Sequence, residues 1–246
     1  DAFDRRVRGK QIVDVGRRGK RVMIELEDAQ TIVIEPRMTG LVLLADPPGS
    51  EHLRLRLSLS DGPHQQLLFW DRRGLGTVRL MREHEIAQAV DSKLGIDALI
   101  ITADQLRAKL GGSRRAIKVA LLDQAAVAGI GNLYAAEILL LAGVDPRARC
   151  DRLTRPQWER IQRATVLVLE EAIRHEGSTL SDGTYRNALN DSGGYQNHHR
   201  VYDRANSTCP RCRNGRIRRI VQAQRSTFFC PNCQRKSGLH VRVSPV

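Results

Sequence analysis

From Val22 to Met81 short apolar stretches are separated by turns, and in the best of them the apolar positions recur at every second residue, the spacing of a strand with one buried face. The clearest stretch is Leu53, Leu55, Leu57 and Leu59, which alternate with Arg54, Arg56, Ser58 and Ser60. Residues 22–27 and 30–35 form two further strands around a Glu-Asp-Ala turn. Residues 41–44 continue the pattern until Asp46-Pro-Pro-Gly-Ser50 breaks it. Residues 66–70 and 77–81 flank Asp71-Arg-Arg-Gly-Leu-Gly76 as two more strands. Residues 7–15 are more polar, with Ile12, Val13 and Val15 as their apolar members. This region therefore predicts an antiparallel sandwich or barrel fragment.

From Glu83 the period becomes helical. Short helices are expected at residues 83–90 and 102–110, the second capped by Thr102. Residues 113–146 then read as two helices joined by a tight turn. Ser113 is positioned to cap the first, in which Ile117, Ala120, Leu121 and Gln124 fall on adjacent turns. Ala128-Gly-Ile-Gly-Asn132 breaks it, and residues 133–142 form the second helix, ended by Gly143. A glycine-rich turn feeding a helix start aims backbone amides outward, which suits a phosphate. The alternative is an ordinary helical hairpin in a core. Thr154, Pro156 and Trp158 open a long helix with Ile161, Val168 and Ala172 on its apolar side, ended near Glu176. Residues 182–199 have no period and read as a long loop of the kind that often carries function.

The tail changes the picture most. Cys209-Pro-Arg-Cys212 and Cys230-Pro-Asn-Cys233 are separated by 17 residues. Paired CxxC units at that separation read as four thiolates around one structural zinc, with a disulfide framework as the alternative. Between them, residues 217–229 suggest two short strands around a turn at Ala223 to Ser226, carrying Arg216, Arg218, Arg219 and Arg225. The fifth cysteine, Cys150, reads as a bystander. The 246 residues carry 40 Lys plus Arg against 27 Asp plus Glu, a formal net charge of +13, mostly from arginine. That balance points to nucleic acid first and an anionic membrane surface second. The 41% hydrophobic content excludes a disordered chain, and no apolar run approaches the roughly 18 residues that span a bilayer.

Taken together, Arg18-Gly-Lys20, Met38-Thr-Gly40, Asp71-Arg-Arg-Gly-Leu-Gly76, Leu121-Leu-Asp-Gln124, Gly129-Ile-Gly-Asn-Leu-Tyr-Ala135, Leu141-Ala-Gly-Val-Asp-Pro146 and Thr227-Phe-Phe-Cys-Pro-Asn-Cys233 resemble the formamidopyrimidine-DNA glycosylase and endonuclease VIII family, on its formamidopyrimidine-DNA glycosylase branch. The resemblance runs from about Arg17 onward. It implies a multidomain α+β fold: an antiparallel β-sandwich domain at 1–82, apparently without its N-terminal helix, a linker at 83–100, a helical domain at 101–203 with a helix–two-turns–helix motif, and a zinc-finger hairpin at 204–246. It also implies a cleft between the sheet and helical domains with duplex DNA bound across it.

By that resemblance Lys20, His52, Asn132 and Arg225 contact DNA phosphates, with Lys20 also supporting catalysis. Met38, Arg73 and Leu75 fill the gap left by an everted nucleotide. Leu75 stands where the branch commonly has Phe, which keeps apolarity and loses a stacking ring. Gly194, Tyr195 and Gln196 belong to a loop that covers the lesion, and Tyr134, Ala135 and Glu137 to the core of the motif. His198 and His199 read by themselves as solvated surface, with loop residues near the base as the alternative. Cys209, Cys212, Cys230 and Cys233 hold the zinc. The family works through an N-terminal Pro-Glu pair, in which the proline amine attacks the sugar and the glutamate handles protons. Asp1-Ala2 does not supply that pair, and the Lys20 motif comes about 35 to 40 residues early by family spacing. The expectation is a piece of a bifunctional glycosylase and AP lyase that removes oxidised bases, purines such as 8-oxoguanine and formamidopyrimidines. It would act as a monomer on damaged duplex DNA in a bacterial-type cytoplasm, with no membrane partner. A binder of damaged or abasic DNA without the nucleophile is the alternative, and an RNA-binding protein with a four-cysteine finger a third reading.

Overall fold

In the computed structural model, residues 2–180, 183 and 185–235 are described. Position 181, positions 182 and 184 of the expected loop, and residues 236–246 of the expected finger domain lie outside them. The chain divides into two compact units, residues 1–93 with 175–196, and residues 94–174 with 197–246.

The first unit opens with helix α1 (Ala2–Val7) and continues with strands β1 (Ile12–Arg18), β2 (Arg21–Leu26), β3 (Gln30–Glu35), β4 (Gly40–Leu43), β5 (Leu53–Ser58), β6 (Gln66–Asp71) and β7 (Thr77–Arg82), then helix α2 (Glu83–Ala89). Two antiparallel sheets result, ordered β1-β2-β3-β7 and β4-β6-β5. Ile24, Leu26, Ile32 and Ile34 of the first sheet meet Leu67 and Phe69 of the second in one core, closed at its margin by Phe3 and Val7 of α1. This is the sandwich that the alternating pattern predicts. At roughly 1.5–3 kcal/mol for each fully buried aliphatic or aromatic side chain, the core is the main stabilising term of the unit.

Strand β6 departs from simple alternation. Leu67, Leu68, Phe69 and Trp70 are all buried, because the second sheet has apolar cover on both faces. Leu68 and Trp70 join Leu41 and Leu43 in a second cluster. The register of β5 against β6 shifts between Leu53 and Leu55. That bulge turns Leu53 onto the second cluster, whereas Leu55 and Leu57 join the main core. Part of the long loop belongs to this unit: Leu44 N–H donates to Ala188 O at 2.7 Å, and Asn190 Nδ2 donates to Asp46 O at 2.9 Å.

The second unit contains β8 (Ile96–Asp97), α3 (Ala103–Leu110), α4 (Ile117–Ala120), β9 (Val127–Ala128), α5 (Asn132–Ala142), α6 (Arg155–Arg174), β10 (Arg218–Gln222) and β11 (Arg225–Phe229). Thr102 caps α3 by accepting from Gln105 N–H, as expected. The first helix of the hairpin is shorter than its sequence suggests. It is a single turn whose N-cap is Ala116, and Ser113 Oγ instead accepts from Arg115 N–H at 3.2 Å. Gln124 lies beyond this helix and latches the turn. Its Nε2 donates to Leu122 O and Ile130 O, and its Oε1 accepts from Gly129 N–H, all at 3.0 Å. Gly129 has φ +108°, a region that side chains rarely reach.

Helix α5 is buried on nearly every side and packs against α6, so hydrophobic residues occupy almost all its positions. It ends at Gly143, with φ +66°. Ala136 and Leu140 of α5 share a core with Ile217, Phe228, Cys209 and Cys230. Arg211 Nη1 donates to Leu140 O at 2.5 Å, and Gln234 Nε2 donates to Val144 O at 2.9 Å. The finger is therefore built onto the end of α5.

Candidate nucleic-acid interface

In the second unit the chemistry gathers where α4, the start of α5 and the β10–β11 hairpin meet. Lys118 lies in the apolar run Ala116-Ile117-Lys118-Val119-Ala120 and is completely buried. Its Nζ donates to Asn132 Oδ1 at 2.5 Å. The Asn132 amide Nδ2 donates in turn to Ser226 O at 3.1 Å, which ties the helix start to the residue beside Arg225. Burial, and after it the positive charge of Arg225, lowers the Lys118 ammonium from 10.5 to about 8. Asn132 is the first residue of α5, preceded by Gly131 as N-cap. The first-turn amides of α5 have no partner within the helix and add to a field suited to an anion. Arg225 directly follows a two-residue turn in which Ala223 and Gln224 have φ +46° and +59°. Two non-glycine residues in that region are costly, and they set the exposed Arg225 at the hairpin tip.

Glu137, five residues along α5 from Asn132, is also fully buried. Its carboxylate accepts from the N–H groups of Arg200, Val201 and Tyr202, each at 2.9 Å. Burial raises its pKa against the opposing pull of those N–H groups. Arg200 reaches Glu171 on α6 at 2.9 Å. These bonds fasten residues 200–202 to the helix pair. His199 is not surface: it is buried, its ring edge-on to Tyr202, and burial lowers its pKa to about 4, so it is neutral at physiological pH.

The four tail cysteines bring their Sγ atoms within 4.8 Å of one another. Cys209 to Cys233 is 3.8 Å and Cys212 to Cys230 is 3.7 Å, far beyond a disulfide bond of about 2.05 Å. A tetrahedron with metal–sulfur bonds of about 2.3 Å has edges of about 3.8 Å, so this donor set fits a metal ion with zinc geometry. N–H groups of Asn214 and Gly215 lower the Cys212 thiol to about 6. Burial raises Cys230 and Cys233, so those two need a cation to become thiolates. Cys150 is buried and its thiol is pushed up to about 12, so it is inert.

In the first unit, Lys20 is exposed at the tip of the β1–β2 hairpin, beside Gly19 with φ +59°. Its neighbour Arg18 is held by Glu83 at 3.1 Å and by Asp91. His52 packs edge-on to Trp70 at 5.4 Å, and its carbonyl accepts from Asp71 N–H at 2.9 Å. Met38 is 51% exposed and Leu75 is 48% exposed, on two loops that meet at Asp71. Arg73 is exposed on the second of these loops. Thr39 Oγ donates to Asp71 Oδ1 at 2.6 Å and accepts from Arg73 N–H at 3.1 Å.

Gly194 N–H donates to His175 O at 2.7 Å, and Tyr195 N–H donates to Gly177 O at 2.9 Å. The Tyr195 side chain is completely buried. Gln196 Oε1 accepts from Thr179 N–H at 3.0 Å and its amide reaches Gly193 O. The side chains of Tyr195 and Gln196 thus hold the base of the loop.

Within their units the structure brings Lys118, Asn132 and Arg225 together, and joins the loops of Met38, Arg73 and Leu75 through Thr39 and Asp71. Lys118 and Asp71 escaped the sequence reading. A lysine inside an apolar helical run was the available signal for the first, and an aspartate closing an apolar strand for the second. Among the described residues no helix is long and apolar enough to cross a membrane.

Residues 1–78 match a formamidopyrimidine-DNA glycosylase N-terminal domain, residues 94–184 a formamidopyrimidine-DNA glycosylase H2TH domain, and residues 206–235 a zinc finger found in FPG and IleRS. A formamidopyrimidine-DNA glycosylase of Chloroflexus aurantiacus is 41% identical over 238 residues, covering 95% of this chain and 84% of the relative. One from Thermomicrobium roseum is 40% identical over 248 residues, covering 94% and 84%. The structure of Lactococcus lactis Fpg in complex with DNA containing an abasic site has a TM-score of 0.84 at 30% identity, over 96% of this chain and 86% of that one. The MutM (Fpg) protein from Thermus thermophilus has a TM-score of 0.83 at 35% identity, over 94% and 85%.

Proposed function

The chain belongs to the formamidopyrimidine-DNA glycosylase family, and we propose that it takes part in excising oxidised bases, purines such as 8-oxoguanine and formamidopyrimidines, from duplex DNA, with cleavage at the abasic site. The observation that carries this reading is the convergence of buried Lys118, Asn132 and Arg225. Two cations and a helix start face one another with an amide between them, an arrangement that an incoming phosphate would stabilise. Lys20 and His52 add backbone contacts from the first unit. Such contacts position the duplex without reading sequence.

In this reading the damaged nucleotide rotates out of the stack and Met38, Arg73 and Leu75 enter the vacancy. The segment around Gly194, Tyr195 and Gln196 shapes the surroundings of the everted base through its backbone, since Tyr195 is buried. In this reading the nucleophile is a proline amine with an adjacent glutamate, the pair that the family resemblance implies. As its nitrogen bonds to C1′, the glycosidic bond breaks and the base leaves with the electron pair. The C1′–O4′ bond then opens as the glutamate delivers a proton to O4′, leaving an iminium that acidifies the C2′ hydrogen, and successive eliminations release the phosphates on both sides of the sugar. The phosphate contacts supply positioning and no bond chemistry. Cys209, Cys212, Cys230 and Cys233 hold one zinc ion, whose contribution is to fold the hairpin that presents Arg225.

The reading is tested by equilibrium binding to duplexes with and without an abasic-site analogue, measured across salt concentrations. Damage-selective binding is expected. Arg225→Ala should shift the salt slope by about 0.9, the loss of one phosphate contact. Equal affinity for damaged and intact duplex, or a preference for structured RNA, would overturn it.

A further inference from the structure

Asp71 is 1% exposed, yet it is a carboxylate in an apolar strand end. Among the described residues its carboxylate is held by neutral donors. Thr39 Oγ donates to Oδ1 at 2.6 Å, Arg73 N–H to Oδ1 at 3.3 Å, and Gly76 N–H to Oδ2 at 2.7 Å. Burial opposes ionisation, but Thr39 and the N–H groups of Gly76, Arg73 and Leu75 outweigh it and hold the carboxyl below its ordinary pKa. The main chain of Asp71 is used as well. Its carbonyl accepts from Arg54 Nε at 3.2 Å and from Gly74 N–H at 3.3 Å.

The loops joined at this carboxylate are those of Met38, Arg73 and Leu75. Thr39 is next to Met38 and bonds to both Asp71 and Arg73. Leu75 lies between Gly74, with φ +64°, and Gly76, where an added Cβ would fall 2.5 Å from Phe69 and 2.9 Å from Glu35 O. A Cβ at Gly40 would fall 2.4 Å from Pro36 O. Both loops are thus closely fitted, and the Asp71–Thr39 pair is their common fastening.

We propose that Asp71 and Thr39 are positioning residues that lock Met38, Arg73 and Leu75 into a single preformed wedge, and so set the rate at which the wedge enters the duplex. This rests on the gap-filling role given above to the three side chains. The carboxylate itself touches no DNA in this scheme. It acts by keeping the wedge ordered before binding, so that no ordering cost falls on insertion.

The test uses the full chain and a duplex with an abasic-site analogue beside 2-aminopurine, whose fluorescence rises when the neighbouring stack is opened. Stopped-flow mixing gives the insertion rate, and affinity for intact duplex gives the phosphate contacts alone. Asp71→Asn keeps the shape but leaves one of the converging donors without an acceptor. Thr39→Val removes the hydroxyl, and Thr39→Ser keeps it. Losing a hydrogen bond to a charged group predicts an insertion rate about tenfold slower, or more, for D71N and T39V. Intact-duplex affinity should stay within about twofold, because no phosphate contact is removed. T39S should insert like the wild type. Insertion by D71N and T39V at the wild-type rate overturns the proposal. So does T39S as slow as T39V, or an equal loss of intact-duplex binding, which marks general unfolding. A wild type that binds damaged duplex with no fluorescence rise refutes the gap-filling role itself, and the proposal with it.

Discussion

Replacing Lys118 with methionine should make the protein more stable at neutral pH and a weaker DNA binder. Lys118 is fully buried and its ammonium falls from 10.5 to about 8, burial being the larger cause and Arg225 the second. A shift of that size corresponds to a penalty of about 3 kcal/mol for keeping the charge in the folded state. Below pH 8 both folded and unfolded chains hold the proton, and the penalty is fully present. Between pH 8 and 10.5 the unfolded chain binds more protons, so stability rises with pH through that window. Above it both forms are neutral and the penalty is gone. Lys118→Met removes the penalty but leaves Asn132 Oδ1 without its donor, a cost of about 1 kcal/mol. The net gain at pH 7 is then about 2 kcal/mol, or roughly 4–8 °C in melting temperature. The gain should shrink as pH rises above 8 and reverse at about pH 10, where the remaining penalty equals the cost of the lost hydrogen bond. DNA binding should change in the opposite sense. Wild-type affinity at low salt should fall as pH passes 8, whereas K118M should start about tenfold weaker and stay flat, having lost one close charge. Denaturant titration at pH 7 and at pH 10, paired with anisotropy binding across pH 6.5–9, measures both. A variant less stable than wild type at pH 7, or parallel pH curves for the two proteins, would refute the reasoning.

Four further outcomes follow from the same geometry. Cys209→Ser should lower the metal content from about one zinc per chain and weaken DNA binding, while leaving the first unit's melting transition in place; elemental analysis and calorimetry read this. Gly129→Ala should destabilise the second unit by about 1 kcal/mol or more, because φ +108° is closed to a side chain, as seen in its denaturation midpoint. Phe69→Ala should cost about 3–5 kcal/mol in the first unit, where the ring sits in the sandwich core. Glu137→Gln should release residues 200–202 from α5, visible as faster amide exchange there, since three N–H donors lose a charged acceptor.

Much of the fold is legible in the chain because its strands have one buried face. Residues 22–27 and 53–59 alternate and become β2 and β5, and residues 30–35, buried from Thr31 to Ile34, are set off by turns and become β3. The four cysteines are legible because metal spacing is local. Other features depend on tertiary context. Ser113 is a good cap by composition, but residues 113–116 are drawn into contact with residues 148–151, so the helix starts only at Ile117. Residues 175–196 follow a helix in sequence, yet group with the sheet unit through bonds such as Leu44 to Ala188. His199 reads as polar surface, but the anchoring of residues 200–202 on Glu137 pulls it inside. Lys118 and Asp71 are hidden for one reason: a buried charge is recognisable only when its partners, distant in sequence, are known.

Borohydride trapping is the decisive experiment for the proposed excision of oxidised bases from duplex DNA. The full-length protein would be incubated with a duplex carrying 8-oxoguanine opposite cytosine, with reductant, and resolved by denaturing electrophoresis. A covalent protein–DNA adduct should form on the damaged strand, with strand cleavage when reductant is omitted, and neither should occur on intact duplex. Equal treatment of damaged and intact duplex, with no adduct from the complete protein, would contradict it.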